Sequence, residues 1–293
     1  MTNILEAIAT IINPIPADLL SSYKSQTKNR INAVGDPLEN LVKDAFANTI
    51  HEPDLSNKEK KYEELFSFSG TKNNPPDFMI RNGDAIEVKK IEVRNRKDSI
   101  AQIALNSSYP KSKLFSNDPQ ISLACRNCEK WTEKDIVYAI GVISNDNKKE
   151  ILTRLWLIYG DCYAASKDYY ERIRSKIATG INEIRDVEFS TTTELGKVKK
   201  VDPLGITDLR IRGMWNINNP RIVFNYINTG YDSQANFQII AIMKENKYSS
   251  FPEDSRTMIE SISDPGFNIN TQQIKCPDNP VDFIPAKIIT YKI

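Results

Sequence analysis

Apolar residues recur at helical spacing near the start of the chain, where Ile4, Leu5, Ile8, Ile11 and Ile12 fall on one side. That spacing predicts a helix over residues 3–12, ended by Asn13-Pro14-Ile15-Pro16. A shorter helix is expected over Ala17–Tyr23, followed by an exposed polar loop, SQTKNRIN. The stretch GDPLENLVKDAFANTI carries stronger signals. Asp36 suits an N-cap, Pro37 the first helical position and Glu39 the third, the reciprocal arrangement of a capping box. Leu38, Leu41, Val42, Ala45 and Phe46 then make one apolar stripe. The charged run HEPDLSNKEKKYEE reads as a loop leading to a short strand, LFSFSG. Residues 118–130 and 166–178 are predicted helices, the second ending at Gly180.

Strand signals are strongest over 135–144, DIVYAIGVIS, and 151–160, ILTRLWLIYG, with Asn145-Asp146-Asn147 as the turn. Both are apolar for much of their length, which places them centrally in a sheet. FQIIAIM, residues 237–243, is a further strand. Residues 196–217 are basic and broken by Pro and Gly, and the tail beyond 250 is Pro-rich and weakly patterned. The expected fold is α/β, a mixed central β-sheet flanked by helices. With no long linker in view, residues 1–293 are expected to form one domain, its catalytic core at about 30–160.

Composition narrows this picture a little. The 293 residues are 40% hydrophobic and 26% charged, enough for a sizeable core. Lys and Arg number 39 against 38 Asp and Glu, so any nucleic-acid partner must be met by a local basic surface. His51 is the only histidine, which argues against a histidine triad or a histidine-rich zinc site. Of the four cysteines, Cys125 and Cys128 form a single CxxC with no second pair, so they read as small apolar helix residues and not as a zinc ribbon. The N-terminus lacks a basic leader pattern, and no apolar run approaches the roughly 18 residues that span a bilayer. A cytoplasmic, disulfide-free protein with no membrane partner is expected.

The chemistry concentrates in NNPPDFMIRNGDAIEVKK, residues 73–90. Phe78-Met79-Ile80 and Ala85-Ile86-Glu87-Val88-Lys89 flank an Asn82-Gly83 turn signal, so a hairpin is predicted. Glu87 and Lys89 share a strand face. A two-residue turn would put Asp77 on the other face. A three-residue turn, Arg81-Asn82-Gly83 with Gly83 left-handed, sets Asp77 opposite Glu87, and that turn or an equivalent bulge near Pro75-Pro76 is predicted. Two carboxylates that close repel unless a cation lies between them, and oxygen donors suit Mg²⁺. The carbonyl of Val88 is a natural further ligand. Lys89 would orient or help deprotonate a water, or hold a phosphate oxygen, which suits phosphodiester hydrolysis.

The (D/E)xK tripeptide occurs four times, at Glu59–Lys61, Glu87–Lys89, Asp146–Lys148 and Glu245–Lys247. Only the pair at 87 and 89 lies in an alternating apolar strand preceded by Pro-Asp and a turn. Pro76-Asp77, nine residues, then Glu87-Val88-Lys89 resembles the PD-(D/E)xK signature of Mg²⁺-dependent nucleases. That resemblance implies metal binding by Asp77 and Glu87 and assistance to the attacking water by Lys89. Five stretches extend it: NRINAVGDPLENLVKDAF, NNPPDFMIRNGDAIEVKKIE, ALNSSYPKSKL, CRNCEKWTEKDIVYAIGV and LRIRGMWNI, in order from about residue 29 to 217. Together they resemble type II restriction endonucleases of the NgoPII-like group; VRNRKD, residues 93–98, looks like a small insertion. The resemblance implies a homodimer cutting double-stranded DNA at a short palindrome, GGCC in the best-known case, with a DNA methyltransferase as genetic partner.

Further candidates carry two readings each. Glu39 is either an extra acid at the metal or a capping residue. Asn106, Ser107, Ser108, Tyr109, Lys111 and Lys113 offer groups for bases or phosphates, or are ordinary surface loop. Arg210 and Arg212 share a strand face and suit guanine contacts, or are an exposed charged strand with Trp215 in the core. Lys197, Lys199 and Lys200 would meet the DNA backbone or water; Lys90 would be solvated or phosphate-facing. Two rival functions stand beside restriction: a structure-specific repair or junction nuclease, and a DNA-binding protein with a merely structural hairpin.

Overall fold

The computed structural model describes residues 2–12, 37–70, 75–94, 98–106, 108–146, 149–190 and 194–293. The helix expected at 17–23, the loop at 25–32, the N-cap role of Asp36, Ser107 and Asn147 lie outside them, while Asn145 and Asp146, expected in the turn, continue strand pairing at the end of the strand Glu133–Asp146. In chain order come α1 (Ile4–Ile12), α2 (Pro37–Ala47), α3 (Leu55–Leu65), β1 (Phe66–Ser69), β2 (Phe78–Ile80), β3 (Ala85–Arg94), β4 (Ile103–Asn106) and β5 (Lys113–Phe115). Then follow α4 (Leu123–Asn127), β6 (Glu133–Asp146), β7 (Lys149–Tyr159), α5 (Gly160–Tyr163), α6 (Lys167–Asn182), β8 (Glu188–Phe189), β9 (Gly196–Lys199), β10 (Leu209–Ile211) and β11 (Trp215–Ile217). The last are α7 (Pro220–Val223), β12 (Gln238–Lys244), α8 (Glu245–Ser250), α9 (Glu253–Glu260), β13 (Phe267–Lys275) and β14 (Phe283–Lys292).

A nine-stranded mixed sheet organises the molecule, in the order β1-β2-β3-β6-β7-β12-β14-β13, with β5 pairing β6 off this path. β3 runs parallel to β6 and β7 parallel to β12, while β6 and β7 form the predicted antiparallel hairpin. Its residues are buried because neighbours cover them on both sides: Val137, Ala139 and Leu157 lie in the core. α2 seats on β6 where Gly141 leaves space, since a side chain there would meet the Leu38 methyls at 2.6 and 2.8 Å. α1 packs against α2, and Asn3 at its start bonds Ser255 of α9 at 2.9 Å. Among the described residues no helix is long and apolar enough to cross a membrane.

Several segments depart from expectation. The run HEPDLSNKEKKYEE holds α3, capped where Asp54 accepts the Ser56 N–H at 2.8 Å. This helix lacks an apolar stripe because polar groups anchor it. Lys58 and Tyr62 both bond the buried Asp44 carboxylate, each at 2.6 Å. The helix expected over 118–130 shortens to α4, capped by Ser122, and α6 runs through Gly180 to Asn182. The tail corrects the reading most. β14 sits between β12 and β13, with Ile288 and Ile289 fully buried. Its hydrophobic run is short and carries Pro285 and Lys287, so pattern alone did not single it out.

Candidate active site

The hairpin β2–β3 has the predicted register. Phe78 pairs with Ile86 and Met79 with Ala85, so extending the ladder by one residue sets Asp77 opposite Glu87. The turn is the three-residue one: the Ile80 N–H donates to the Asp84 carbonyl at 2.9 Å, and the Gly83 N–H to the Ile80 carbonyl at 2.9 Å. One detail differs. The left-handed residue is Asn82, with φ 56°, and not Gly83. Asparagine tolerates that region through its short polar side chain. Gly83 serves instead by its size, because a Cβ there would sit 2.9 Å from Ile80 Cγ2.

Asp77 is fixed from three directions. Its N–H donates to the Ile86 carbonyl at 3.0 Å, and its carbonyl accepts the Gly70 N–H at 2.6 Å. Gly70 permits that approach, since a Cβ there would lie 2.4 Å from the Pro76 carbonyl oxygen. The Asp77 carboxylate in turn accepts the Val88 N–H, Oδ2 to N 2.6 Å. One residue before Val88, Glu87 is only 7% exposed; its Oε1 accepts from Lys89 Nζ. Glu87 Oε2 is buried and has no hydrogen-bond partner among the described residues.

The electrostatics follow from this crowding. Burial and then the Glu87 charge push the Asp77 carboxyl up to about 7, against the pull of Lys89 and the Val88 N–H. Burial pushes the Lys89 ammonium down, but the Glu87 and Asp77 carboxylates outweigh it and the net shift is upward. Lys89 is therefore a cation at neutral pH. Glu39, on α2, pairs with Lys43 at 2.7 Å and adds a lesser push to Asp77. Lys90 is exposed and paired with Glu92 at 2.8 Å.

A divalent cation fits this donor set. An orphaned buried carboxylate oxygen next to a second carboxyl held half-protonated is what a hard cation relieves. Among the described residues no group of three or more His, Cys, Asp or Glu could hold a metal ion. The donors are thus two carboxylates with backbone oxygen and water for the rest, the pattern Mg²⁺ accepts. The CxxC offers nothing similar: burial first, then Cys128, pushes the Cys125 thiol up to about 12, and Cys128 Sγ donates to the Cys125 carbonyl at 3.0 Å.

The candidate DNA-contacting residues separate into three groups. Ser107 and the side chain of Asn106 are outside the described residues. Tyr109 and Lys111 are committed internally. The Tyr109 hydroxyl donates to Glu171 at 3.0 Å and its ring stacks on Tyr170 at 5.3 Å. Lys111 is 3% exposed, with Nζ 2.6 Å from Asp118, 2.7 Å from Gln120 and over the Tyr109 ring. Both side chains are buried and spent on internal partners, so neither is presented to solvent. Ser108 is half-buried, and Lys113 pairs with Glu133 and Asp135. Arg210 and Arg212 are exposed, as expected. Trp215 is half-buried, edge-on to Tyr109 and Tyr170.

Strand pairing joins regions that are far apart in sequence. β11 pairs with β4, Trp215 beside Asn106, so the loop after the catalytic strand and the basic 196–217 segment meet. Sequence reasoning missed Glu194, which accepts from Arg210 at 2.6 and 2.9 Å and from Arg212 at 2.5 Å. It also missed Lys247, whose Nζ bonds Asp84 and Asp135, each at 2.8 Å. Neither had a local signal, because both contacts cross between elements.

Comparison with known proteins gives the family. The family model described as NgoPII restriction endonuclease matches residues 2–275. The type II restriction enzyme NgoPII of Neisseria gonorrhoeae is 43% identical over 293 residues, covering 99% of this chain and all of that one. No solved structure matches. With its acid pair and lysine on one hairpin and a family match from end to end of the catalytic region, the chain belongs to the NgoPII restriction endonuclease family.

Proposed function

We propose that this restriction endonuclease hydrolyses double-stranded DNA at a short palindrome in a Mg²⁺-dependent reaction, with Asp77, Glu87 and Lys89 as its catalytic residues. The observation that carries the reading is the buried, unpartnered Oε2 of Glu87 beside an Asp77 carboxyl raised to about 7. Asp77, Glu87 and the Val88 carbonyl would hold the metal. Glu39 is engaged with Lys43 and acts on Asp77 only through its charge, so as a further metal ligand it would first have to leave Lys43. A bound Mg²⁺ supplies positive charge for the scissile phosphate and lowers the pKa of water. Lys89, paired with Glu87, would orient the attacking water or help deprotonate it, or neutralise a phosphate oxygen. In-line attack on phosphorus breaks the bond to the 3′ oxygen, leaving 5′-phosphate and 3′-hydroxyl ends.

Arg210 and Arg212 are the proposed guanine contacts, with Asn106, Ser107, Ser108 and Lys113 on the adjoining segment. Tyr109 and Lys111 support that segment from beneath. GGCC, which the resemblance of the sequence to the NgoPII-like group implies, is the first sequence to test. We further propose one domain over residues 1–293, a homodimer matching the two-fold symmetry of a palindrome, a cytoplasmic location and a methyltransferase as genetic partner.

Cleavage of mixed plasmid DNA tests the whole reading. Discrete fragments that require Mg²⁺ are expected; preference for branched or nicked DNA would point to a structure-specific nuclease. Asp77→Ala and Glu87→Ala should abolish cutting with the fold intact by circular dichroism. Lys89→Ala should slow it by about 10²–10³, the scale of losing one charge-stabilising donor. Wild-type rates in either acid variant would refute the assignment.

A further inference from the structure

Contacts from outside the hairpin converge on the turn between β2 and β3. Lys134, on β6, donates from Nζ to the Ile80 carbonyl at 3.2 Å and to the Gly83 carbonyl at 2.6 Å. It also pairs with Glu129 at 2.5 Å. The Glu129 carboxylate accepts the Asn82 N–H at 3.1 and 3.3 Å. One ammonium therefore reaches both ends of the turn while its partner carboxylate holds the middle. The pair is buried, with side chains only 6% and 9% exposed.

A buried ion pair is a costly way to gain stability, and an apolar pair of similar volume often does as well. What it adds is geometric selection. The ammonium is satisfied only if the carbonyls of residues 80 and 83 point the same way, which a three-residue turn provides. A turn shorter by one residue would slip the register and carry Asp77 to the opposite face of the sheet.

We propose that Lys134 and Glu129 are positioning residues that hold the hairpin in the register facing Asp77 with Glu87, and thereby set the affinity of that pair for a divalent cation. The proposal rests on reading Asp77 and Glu87 as the cation site. Full-length protein, wild-type and Lys134→Met, is titrated with Mn²⁺, and free Mn²⁺ is read by electron paramagnetic resonance. Circular dichroism confirms folding at the titration temperature.

Lys134→Met should bind Mn²⁺ at least about tenfold more weakly, the scale of losing a group that orients a metal ligand. The Mg²⁺ concentration for half-maximal cleavage should rise in parallel, with the rate at saturating Mg²⁺ within a few fold of wild type. Glu129→Gln keeps an oxygen for the Asn82 N–H but removes the charge, and should fall between the two. A purely structural role would lower the melting temperature and leave the Mn²⁺ affinity of folded protein unchanged. Folded Lys134→Met with wild-type affinity overturns the proposal; should that variant not fold, Glu129→Gln with wild-type affinity overturns it. The Asp77→Asn, Glu87→Gln double variant separates the two ideas: if it binds Mn²⁺ like wild type, the cation-site reading fails whatever Lys134 does.

Discussion

At the scale of single residues, Asp77 carries a tension that function requires. Its carboxyl sits at about 7 against an ordinary 3.8, so the folded protein holds a proton there that the unfolded chain releases. This group's contribution to stability therefore falls as pH rises from about 4 to about 7, and stays low above it. Asp77→Asn should accordingly melt a few degrees higher than wild type in EDTA at pH 8, because it removes a buried charge facing Glu87. Mg²⁺ should raise the wild-type melting temperature and leave the variant's unchanged. A lower melting point for Asp77→Asn in EDTA would show that the Asp77 charge stabilises the metal-free fold. The grouping of Asp77, Glu87 and Lys89 was legible from sequence because they lie within thirteen positions and one turn relates them. The unpartnered Oε2 of Glu87 was not, since only packing decides which oxygens find a donor.

At the scale of elements, close approach is bought with glycine where backbones meet. Gly160 opens α5 against the segment before β5: a Cβ there would lie 2.4 Å from the Lys111 carbonyl oxygen, 2.6 Å from Ile136 Cγ2 and 2.7 Å from the Ser112 carbonyl oxygen. Gly160→Ala should cost about 1–3 kcal/mol, the range for overfilling a packed site, measured by urea denaturation. An unchanged midpoint would mean that α5 shifts without penalty. The central hairpin β6–β7 was read correctly because its apolar run needs no partner to be recognised. α3 was missed for the opposite reason. Its anchors are Lys58 and Tyr62 on Asp44, which lies on another helix, and no periodicity along the chain reports a polar contact of that kind. The segment after β4 shows the same limit: Tyr109 and Lys111 have the chemistry to meet DNA, and tertiary contacts turn them inward.

For the whole molecule, the tail decides whether the sheet is complete. β14 pairs with β12 along seven residues and with β13 along nine, so it is an interior strand supplied by the last part of the chain. A chain stopped at residue 250 would leave β12 as a bare apolar edge, a template for association. Such a truncation should be insoluble or aggregated, with loss of the native circular dichroism; a soluble, folded product would mean that the catalytic half is independent of the tail. With a net charge of +1, DNA binding has to come from local surface and not from the overall field. The pairing of β4 with β11 brings the segment after β4 beside the one that bears Arg210 and Arg212, the surface proposed above for that contact.

The amino-acid order alone marked the β2–β3 hairpin, the two registers it could take and the core strands, because each depends on neighbours within a few positions: alternation, a turn signal, a run of branched side chains. The fold alone decided how deep each polar group is buried, that Lys134 and Glu129 clasp the turn, that Tyr109 and Lys111 face inward and that the tail enters the sheet. Those outcomes depend on groups brought together from distant parts of the chain, and the free energy of burying a charge or pairing an edge is defined only once they meet.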